Sequence, residues 1–265
     1  MNTFDWIIKI AAEYGMSFLS GTAYTLIMAI VGTIIGFVIG LLISLVRVIP
    51  VQPRDSALKK GLMKVVNAVL SVYVEVFRGT PMLVQALIIH YSLFVPLGVD
   101  PLLSAIIIIS INTGAYMAEI VRGGIISIDK GQFEGAHAIG MSHFQTMTCV
   151  VLPQAIRNIM PSIGNEFVVN IKDSSVLSVI SISELMFMSK MAGGAYTKFV
   201  PAYLICAAIY FVLTFTVTRI LRFIEKKMDG DANYTVFGSQ SDPEAEIHLK
   251  KDINDCRDQE EEETV

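Results

Sequence analysis

The sequence has a long stretch without charge near its start, since no Asp, Glu, Lys or Arg occurs between Glu13 and Arg47. A helix needs about 20 apolar residues to cross the hydrocarbon core of a bilayer, so this stretch can form a transmembrane helix with an oblique approach along the membrane surface. Within it, Gly32, Gly36 and Gly40 recur at every fourth position and leave one helix face flat. This spacing predicts close packing against another helix, which is either within the chain or, alternatively, part of a dimer.

The composition places the whole chain in a membrane. It has 265 residues, of which 53% are hydrophobic and only 17% charged, and its mean hydropathy is +0.60. These values exclude an ordinary soluble domain. The start of the sequence has no basic n-region or small-residue cleavage site, which predicts a retained helix and not a signal peptide. The cysteines and histidines are scattered, so we expect neither a disulfide framework nor a metal site.

Further apolar stretches follow at about 65–94, 102–121, 166–188 and 199–218. Lysine and arginine are concentrated at 47–64 and directly after 218. By the positive-inside rule those segments are cytoplasmic, which predicts an all-α polytopic protein of about five transmembrane helices with its N-terminus outside and its C-terminus in the cytoplasm. We therefore expect an extracytoplasmic segment at 1–16, a transmembrane domain at 17–228, and a disordered acidic cytoplasmic tail at 229–265.

Two of these stretches carry charges inside the predicted membrane region. Glu75 and Arg78 are three residues apart and can neutralise each other on one helix face, after which Gly79 and Pro81 weaken the helix. The 166–188 stretch holds so many polar residues that it should face protein or water instead of lipid. These residues are Glu166, Asn170, Lys172, Asp173 and Glu184.

The segment 134–153, which we call the knob, is polar and lies between apolar stretches. Its sequence, EGAHAIGMSHFQTMTCVVLP, is too polar to cross a bilayer. The spacing predicts a short helix with Phe133, Ala136, Ile139 and Gly140 on one stripe, a turn at Gly140, and a second helix over 142–149 closed by Leu152 and Pro153. We expect the knob on the cytoplasmic side.

The knob resembles the EAA loop of ABC import permeases, E-A-A-x3-G-x9-I-x-L-P. Glu134, Ala136, Gly140, Leu152 and Pro153 match that pattern, whereas Gly135 and Val150 replace its first Ala and its Ile. The segments VEVFRGTPMLVQ, INTGAYMAEIVRGGI and LPQAIRNIMPSIGNEFVVNIKDSSVLSVIS are similar to those of the permeases for polar amino acids. By this resemblance the ATPase-coupling residues are Glu134, Gly135, Ala136, Gly140, Leu152 and Pro153.

The resemblance implies a type I ABC importer permease in a bacterial plasma membrane. Such a permease works as a homodimer or heterodimer with two copies of an ABC ATPase and an extracytoplasmic amino acid binding protein. ATP and Mg²⁺ then belong to the ATPase, and this chain has no cofactor and is not an enzyme. The sequence agrees, because it contains no G-x-x-x-x-G-K-[ST] motif to hold phosphates. We expect no nucleic-acid partner.

An amino acid carries an ammonium and a carboxylate, so a pocket for it needs groups of both signs. We predict a substrate site at Glu166, Lys172 and Asp173, which the resemblance also associates with the transported amino acid. Asn112 is predicted as a further pocket or gate residue. Asp173, Ser174 and Ser175 resemble a helix start whose positive end could face the carboxylate. Alternatively, Lys172 neutralises Asp173 or pairs with Glu119.

Other functions also fit the composition. One is an ion-coupled secondary amino acid transporter or channel, which would leave the spacing of the knob unexplained. A second is a membrane receptor or scaffold that recruits partners through the acidic tail. A third keeps the ABC permease but changes the solute to methionine, a sulfonate or a peptide.

Overall fold

Helices account for nearly all of the residues that the computed structural model describes, which are 2–51 and 55–229, with side chains to residue 227. No strand occurs within these ranges. The predicted acidic tail lies outside the described residues, apart from Asp229. The helices are α1 (Thr3–Val48), α2 (Ala57–Gly79), α3 (Met82–Ile89), α4 (Pro101–Ile126), α5 (Lys130–Ala138), α6 (His143–Gln145), α7 (Leu152–Asp173), α8 (Leu185–Tyr196) and α9 (Phe199–Asp229). A π-helical turn extends α3 over His90–Phe94 and another joins α6 to α7 over Thr146–Val151, while a 3₁₀ segment follows α7 over Ser174–Ile180.

The first helix is much longer than a bilayer is thick. Its 46 residues correspond to about 69 Å, against about 30 Å of hydrocarbon. The predicted glycine strip lies against α4, where a Cβ on Gly36 would come within 2.7 Å of Thr113 Cβ, and Cβ atoms on Gly32 and Gly40 would clash with Ile109 and Met117. The close helix packing predicted from the strip is therefore confirmed.

Three helices, α1, α4 and α9, are individually long and apolar enough to cross a membrane, and the number rises to five if each of two bent helix pairs forms one span. The first pair is α2 with α3 and its π-helical extension, bent by 112°, and the second joins the α7 region to α8 with a bend of 53°. The predicted all-α polytopic class is confirmed. Most of segment 1–16 forms the beginning of α1 and is not a separate unit. Its extracytoplasmic location stays a prediction.

Three apolar clusters hold the helices together. One joins α1, α3, α4 and the 3₁₀ segment around Met28, Ile108 and Leu177. Another connects α8 and α9 to the N-terminal half of α1. The remaining cluster lies at the opposite end of α4, where Val121 and Ile125 contact the knob and the start of α7. This third cluster is the one that positions the knob.

Candidate functional site

The first half of the knob folds as predicted into a short helix and a glycine turn. Asp129 caps α5 by accepting a hydrogen bond from the Gly131 amide at 2.7 Å. Gly140 has a φ of 84°, a left-handed conformation that glycine adopts without steric penalty. The Gly140 amide donates to the His137 carbonyl at 3.0 Å, and the Met141 amide donates to that of Ala136 at 3.1 Å. These bonds reverse the chain direction after α5.

The second half of the knob differs from the prediction at its end. Ser142 caps α6, because its hydroxyl accepts from the Gln145 amide at 3.3 Å and its amide donates to Gln145 Oε1 at 2.9 Å. The chain then continues through the π-helical turn directly into α7. Leu152 and Pro153 begin α7 and do not close the knob, so that part of the prediction is wrong. Proline is tolerated there because the first turn of a helix needs no amide donor from it.

The knob is firmly packed onto the rest of the protein through its inner side. Met147 and Val151 are buried in one cluster with the end of α4, and partly buried residues of α1 pack against the same cluster. The contact between α4 and α7 is tight, because a Cβ on Gly124 would lie 3.3 Å from the Ala155 carbonyl oxygen. A displacement of the knob must therefore carry α4 and α7 with it.

The outer side of the knob is open and partly apolar. Glu134 and Gly135 are exposed, and Ile139 and Phe144 have exposed fractions of 80% and 74%. The predicted apolar stripe is therefore only half correct, because Ala136 faces inward while Ile139 faces solvent. A face with an acid beside large apolar side chains is typical of a surface that binds another protein.

Buried amide side chains close the break between α2 and α3. Gln85 Nε2 donates to the carbonyl oxygens of Phe77 and Thr80, each at 2.9 Å. Asn112 Nδ2 in turn donates to Gln85 Oε1 at 2.8 Å. Asn112 therefore supports the broken helix from α4. Gln85 was missed in the sequence, where only the neighbouring Gly79 and Pro81 indicate a break.

A second polar group joins three helices at the centre of the bundle. Asn170 Nδ2 on α7 donates to Thr33 Oγ1 on α1 at 2.8 Å. Thr113 Oγ1 on α4 donates to Asn170 Oδ1 at 3.0 Å. The amide of Asn170 thus uses both its donor and its acceptor atoms, which fixes the rotation of α7 relative to α1 and α4.

Near Asn170, groups of both charges come together from different helices. Glu166 on α7 is 4% exposed and interacts electrostatically with Asp173 and with Arg78 of α2. The Arg78 guanidinium carbon lies 5.5 Å from the centre of the Tyr116 ring on α4, a cation–π distance. Glu75 is exposed and forms no ion pair with Arg78 or with any other residue of the described part, so the predicted Glu75–Arg78 pair is wrong.

Lys172 lies on another face of α7 and touches this charged group only through a longer-range electrostatic interaction with Asp173. Its side chain is exposed and lines a cavity between α7 and α9. The proposed pairing of Lys172 with Glu119 is not found, because Glu119 binds Arg47 at 2.5 Å and Arg122 at 2.7 Å. Nor does Lys172 form an ion pair with Asp173 in the described structure.

The predicted helix start at Asp173 is also absent. After Asp173 the chain tightens into the 3₁₀ segment, and the next α-helix begins only at Leu185. Its N-terminus is closed by Glu184, whose carboxylate accepts from the amides of Met186 at 2.7 Å and Phe187 at 2.6 Å. The Tyr210 hydroxyl of α9 donates to the same carboxylate at 3.0 Å. The free amides at the N-terminus of α8 are therefore already bound by the Glu184 carboxylate, and are not available to a substrate carboxylate.

Comparison with known proteins assigns the family. Residues 56–230 match the family described as the binding-protein-dependent transport system inner membrane component. The chain belongs to this family. The matched range contains the knob and all of the predicted site residues, so the features described above lie within this permease domain.

Individual relatives of this permease carry amino acids. It is 37% identical over 167 residues to the glutamine transport system permease protein GlnP of Escherichia coli strain K12, covering 62% of this chain and 76% of the relative. It is 42% identical over 164 residues to the L-cystine transport system permease protein TcyB of Bacillus subtilis strain 168, covering 61% and 70%. A crystal structure of an amino acid ABC transporter with histidines contains a chain of 37% identity and TM-score 0.70, with 82% of this chain and 96% of that chain covered.

These matches confirm the predictions of family, fold class, membrane location and function. The chain is the membrane permease component of a binding-protein-dependent ABC importer. An ion-coupled carrier, a channel, a receptor and a scaffold are therefore set aside. The family description also confirms an inner-membrane location.

Proposed function

We propose that this permease imports a polar amino acid, driven by ATP that a separate subunit hydrolyses while docked on the knob. The observation that carries the proposal is the two-sided construction of the knob. Its outer face presents Glu134, Ile139 and Phe144 to solvent, while its inner face is buried against α4 and α7. A segment built in this way can accept a partner on one side and move transmembrane helices on the other.

The partners that we propose are those implied by membership of this family. Two ATPase copies, each with ATP and Mg²⁺, would receive one knob each from a permease dimer, in which the second subunit is the same chain or a related one. An extracytoplasmic binding protein would deliver the amino acid at the opposite membrane face. When the ATPases close on nucleotide, a helix seated in a groove on their surface moves with them. The cluster around Val121 and Val151 would pass that movement to α4 and α7, and so expose the substrate site to alternate sides of the membrane.

The substrate site we propose lies between α2, α4 and α7. Glu166 and Asp173 would bind the ammonium of the amino acid, and Arg78, held over Tyr116, would bind its carboxylate. Asn112 would act from behind, by holding Gln85 and thus the helix break next to Arg78. Arg78 takes the role that the sequence suggested for Lys172, whose side chain lies on another face of α7.

The docking proposal is tested by Glu134→Lys in the complete transporter. Reversing this charge should lower both co-purification of the ATPase subunit and amino acid uptake by tenfold or more, because a truncated interfacial charge contact is worth about 2–5 kcal/mol. Gln132→Lys is the control, since Gln132 is exposed on the same helix outside the family pattern. If Glu134→Lys leaves co-purification and uptake unchanged, the knob does not carry the coupling.

The substrate site is tested by Arg78→Gln and Glu166→Gln, with Glu75→Gln as a control on the exposed face of α2. The two site variants should raise the KM for uptake by tenfold or more while ATPase co-purification stays normal, because each removes a charge that pairs with the amino acid. Unchanged KM and unchanged selectivity among amino acids in both variants would contradict the proposed site.

A further inference from the structure

A cavity of about 370 Å³ lies between α7 and α9, on the face of α7 that the proposed substrate site does not use. Its walls combine three cationic side chains, Lys172, Arg219 and Arg222, with apolar ones that include Val168, Phe211 and Phe215. The volume is within the range of small-molecule sites. The chemistry of the lining indicates a ligand with an anionic part and an apolar part.

Among the described residues, no carboxylate lines the cavity beside the three cations. None of them forms an ion pair with any residue in 2–51 or 55–227. The Arg219 guanidinium carbon lies 5.0 Å from the Phe215 ring centre, which orients the group without neutralising it. Two acids lie in this region: Asp173 interacts electrostatically with Lys172, and Glu225 Oε1 would lie 3.6 Å from a Cβ on Gly164. Cations at the membrane boundary that form no ion pair can bind an anion, so the cavity is suited to one.

The cations also lie at a depth that a lipid headgroup can reach. Arg219 is about 15 Å from the end of α9 at Asp229, and Arg222 is about one helical turn nearer to that end. Side chains of a helix lean toward its N-terminus. Lys172 therefore leans along α7 toward the knob, and so toward the level of the two arginines. The exposed flank of the cavity is apolar, since Phe211 and Phe215 have exposed fractions of 67% and 50%.

We propose that this cavity binds an anionic phospholipid from the membrane leaflet on the knob side. The phosphate would contact Lys172, Arg219 and Arg222, and an acyl chain would lie along Phe211 and Phe215. Basic pockets between transmembrane helices on the cytoplasmic side favour such headgroups because the surrounding dielectric is low and counter-charges are scarce. The acidic segment 230–265 follows α9 and is another anion, but the apolar flank of the cavity matches an acyl chain and not a polar peptide.

The experiment is native mass spectrometry of the full-length permease, purified with its ATPase subunit and titrated with dioleoyl phosphatidylglycerol or dioleoyl phosphatidylcholine. We expect phosphatidylglycerol to bind at least tenfold more tightly than phosphatidylcholine. Arg219→Gln with Arg222→Gln should weaken phosphatidylglycerol binding about thirtyfold, and Lys172→Gln several-fold. The matched control, Lys226→Gln with Lys227→Gln, removes the same charge just outside the cavity and should change binding less than twofold.

Three results would overturn the proposal. The control pair could weaken binding as much as the cavity pair, which indicates general surface attraction. The two lipids could bind equally, which indicates no recognition of charge. A chain ending at Asp229 could bind phosphatidylglycerol while the full-length chain does not, which identifies the acidic segment as the occupant. Arg219→Lys with Arg222→Lys changes the same two side chains but keeps their charge, and should keep most of the phosphatidylglycerol binding. Loss of binding in this variant as well would show that the substitutions disturb folding and do not act through charge.

Discussion

At the scale of single residues, the polar groups inside this bundle satisfy one another across helices. Gln85 supplies the hydrogen bonds that the broken backbone between α2 and α3 has lost, and Asn112 holds Gln85 in place. Within a membrane, unsatisfied backbone groups are tolerated only where protein or water replaces the missing bonds. The sharp bend next to Arg78 therefore depends on two amides from different helices.

This dependence predicts coupling between the two amides. Gln85→Leu and Asn112→Leu should each lower the free energy of unfolding of the purified permease by about 1–3 kcal/mol. The double variant should lose about 0.5–2 kcal/mol less than the sum, because each single change already breaks the shared bond. Gln85→Leu combined with Ser189→Ala, a buried site on α8, is the control and should be additive. Additivity in both pairs, measured by chemical unfolding, would contradict the role of Asn112.

At the scale of helices, the contact between α1 and α4 depends on the missing side chains of the glycine strip. Gly36 approaches Thr113 and the amide nitrogen of Gly114, which would lie 3.2 Å from an added Cβ. The hydroxyl of Ser44 continues this contact by donating to the Ala118 carbonyl. Small residues are what let the two helix backbones come this close.

Gly36→Ala should therefore destabilise the permease by about 1–3 kcal/mol, because the added methyl group overpacks the contact. Gly15→Ala on the same helix is the matched control, since nothing lies within 4 Å of its added Cβ. It should leave stability unchanged or raise it slightly. Thermal unfolding in detergent measures both, and equal midpoints for the two variants would contradict the packing described.

The knob gives a prediction of the opposite sign. Gly135 stands where the EAA pattern has Ala, and nothing lies within 4 Å of an added Cβ. Gly135→Ala should stabilise α5 by up to about 1 kcal/mol through helix propensity. Gly131→Ala is the control, because its Cβ would come within 2.7 Å of Asp129 Oδ1 and disturb the helix cap. Hydrogen exchange of the α5 amides should slow in the first variant only, and faster exchange there would contradict the prediction.

How far the sequence predicts these elements depends on whether the signal is local. Apolar length, the glycine strip and the turn at Gly140 are local, and the structure agrees with them. The partner of Arg78 is not local, since Tyr116 comes from another helix and replaces the predicted Glu75. The start of α8 was misplaced because Asp-Ser-Ser resembles a cap, whereas packing of Leu185 and the hydrogen bonds of Glu184 move the break further along the chain. Pro153 suggested a helix end, whereas the chain in fact continues from the π-helical turn into α7. The sequence has no clear signal for that π-helical turn.

At the scale of the whole molecule, packed helices connect the knob, which we propose as the docking element, to the polar centre of the permease. The knob contacts α4 at one end, and Thr113 of α4 reaches Asn170 of α7 near the charged group. Movement at the knob can thus reach Glu166 without a flexible segment between them. If the ATPase docks on the knob as proposed, the knob must lie on the ATP-containing side of the membrane.

That orientation is testable with the exposed Cys149 of the knob. In a Cys256→Ser background, a membrane-impermeant maleimide should label Cys149 in inside-out vesicles and not in intact spheroplasts. Cys206 is buried and provides an internal reference for unfolded protein, because it should react only after denaturation. Labelling of Cys149 in intact spheroplasts would reverse the predicted topology.

The central claim is that a separate ATPase drives amino acid movement through this chain. Its most direct measurement is uptake of radiolabelled glutamine and other polar amino acids into proteoliposomes. These contain either the permease alone or the permease with its ATPase subunit and binding protein. We expect accumulation only in the complete assembly, with ATP and Mg²⁺ on the knob side, and none when an ion gradient is the sole energy source. Accumulation by the permease alone, driven by a proton or sodium gradient, would contradict it.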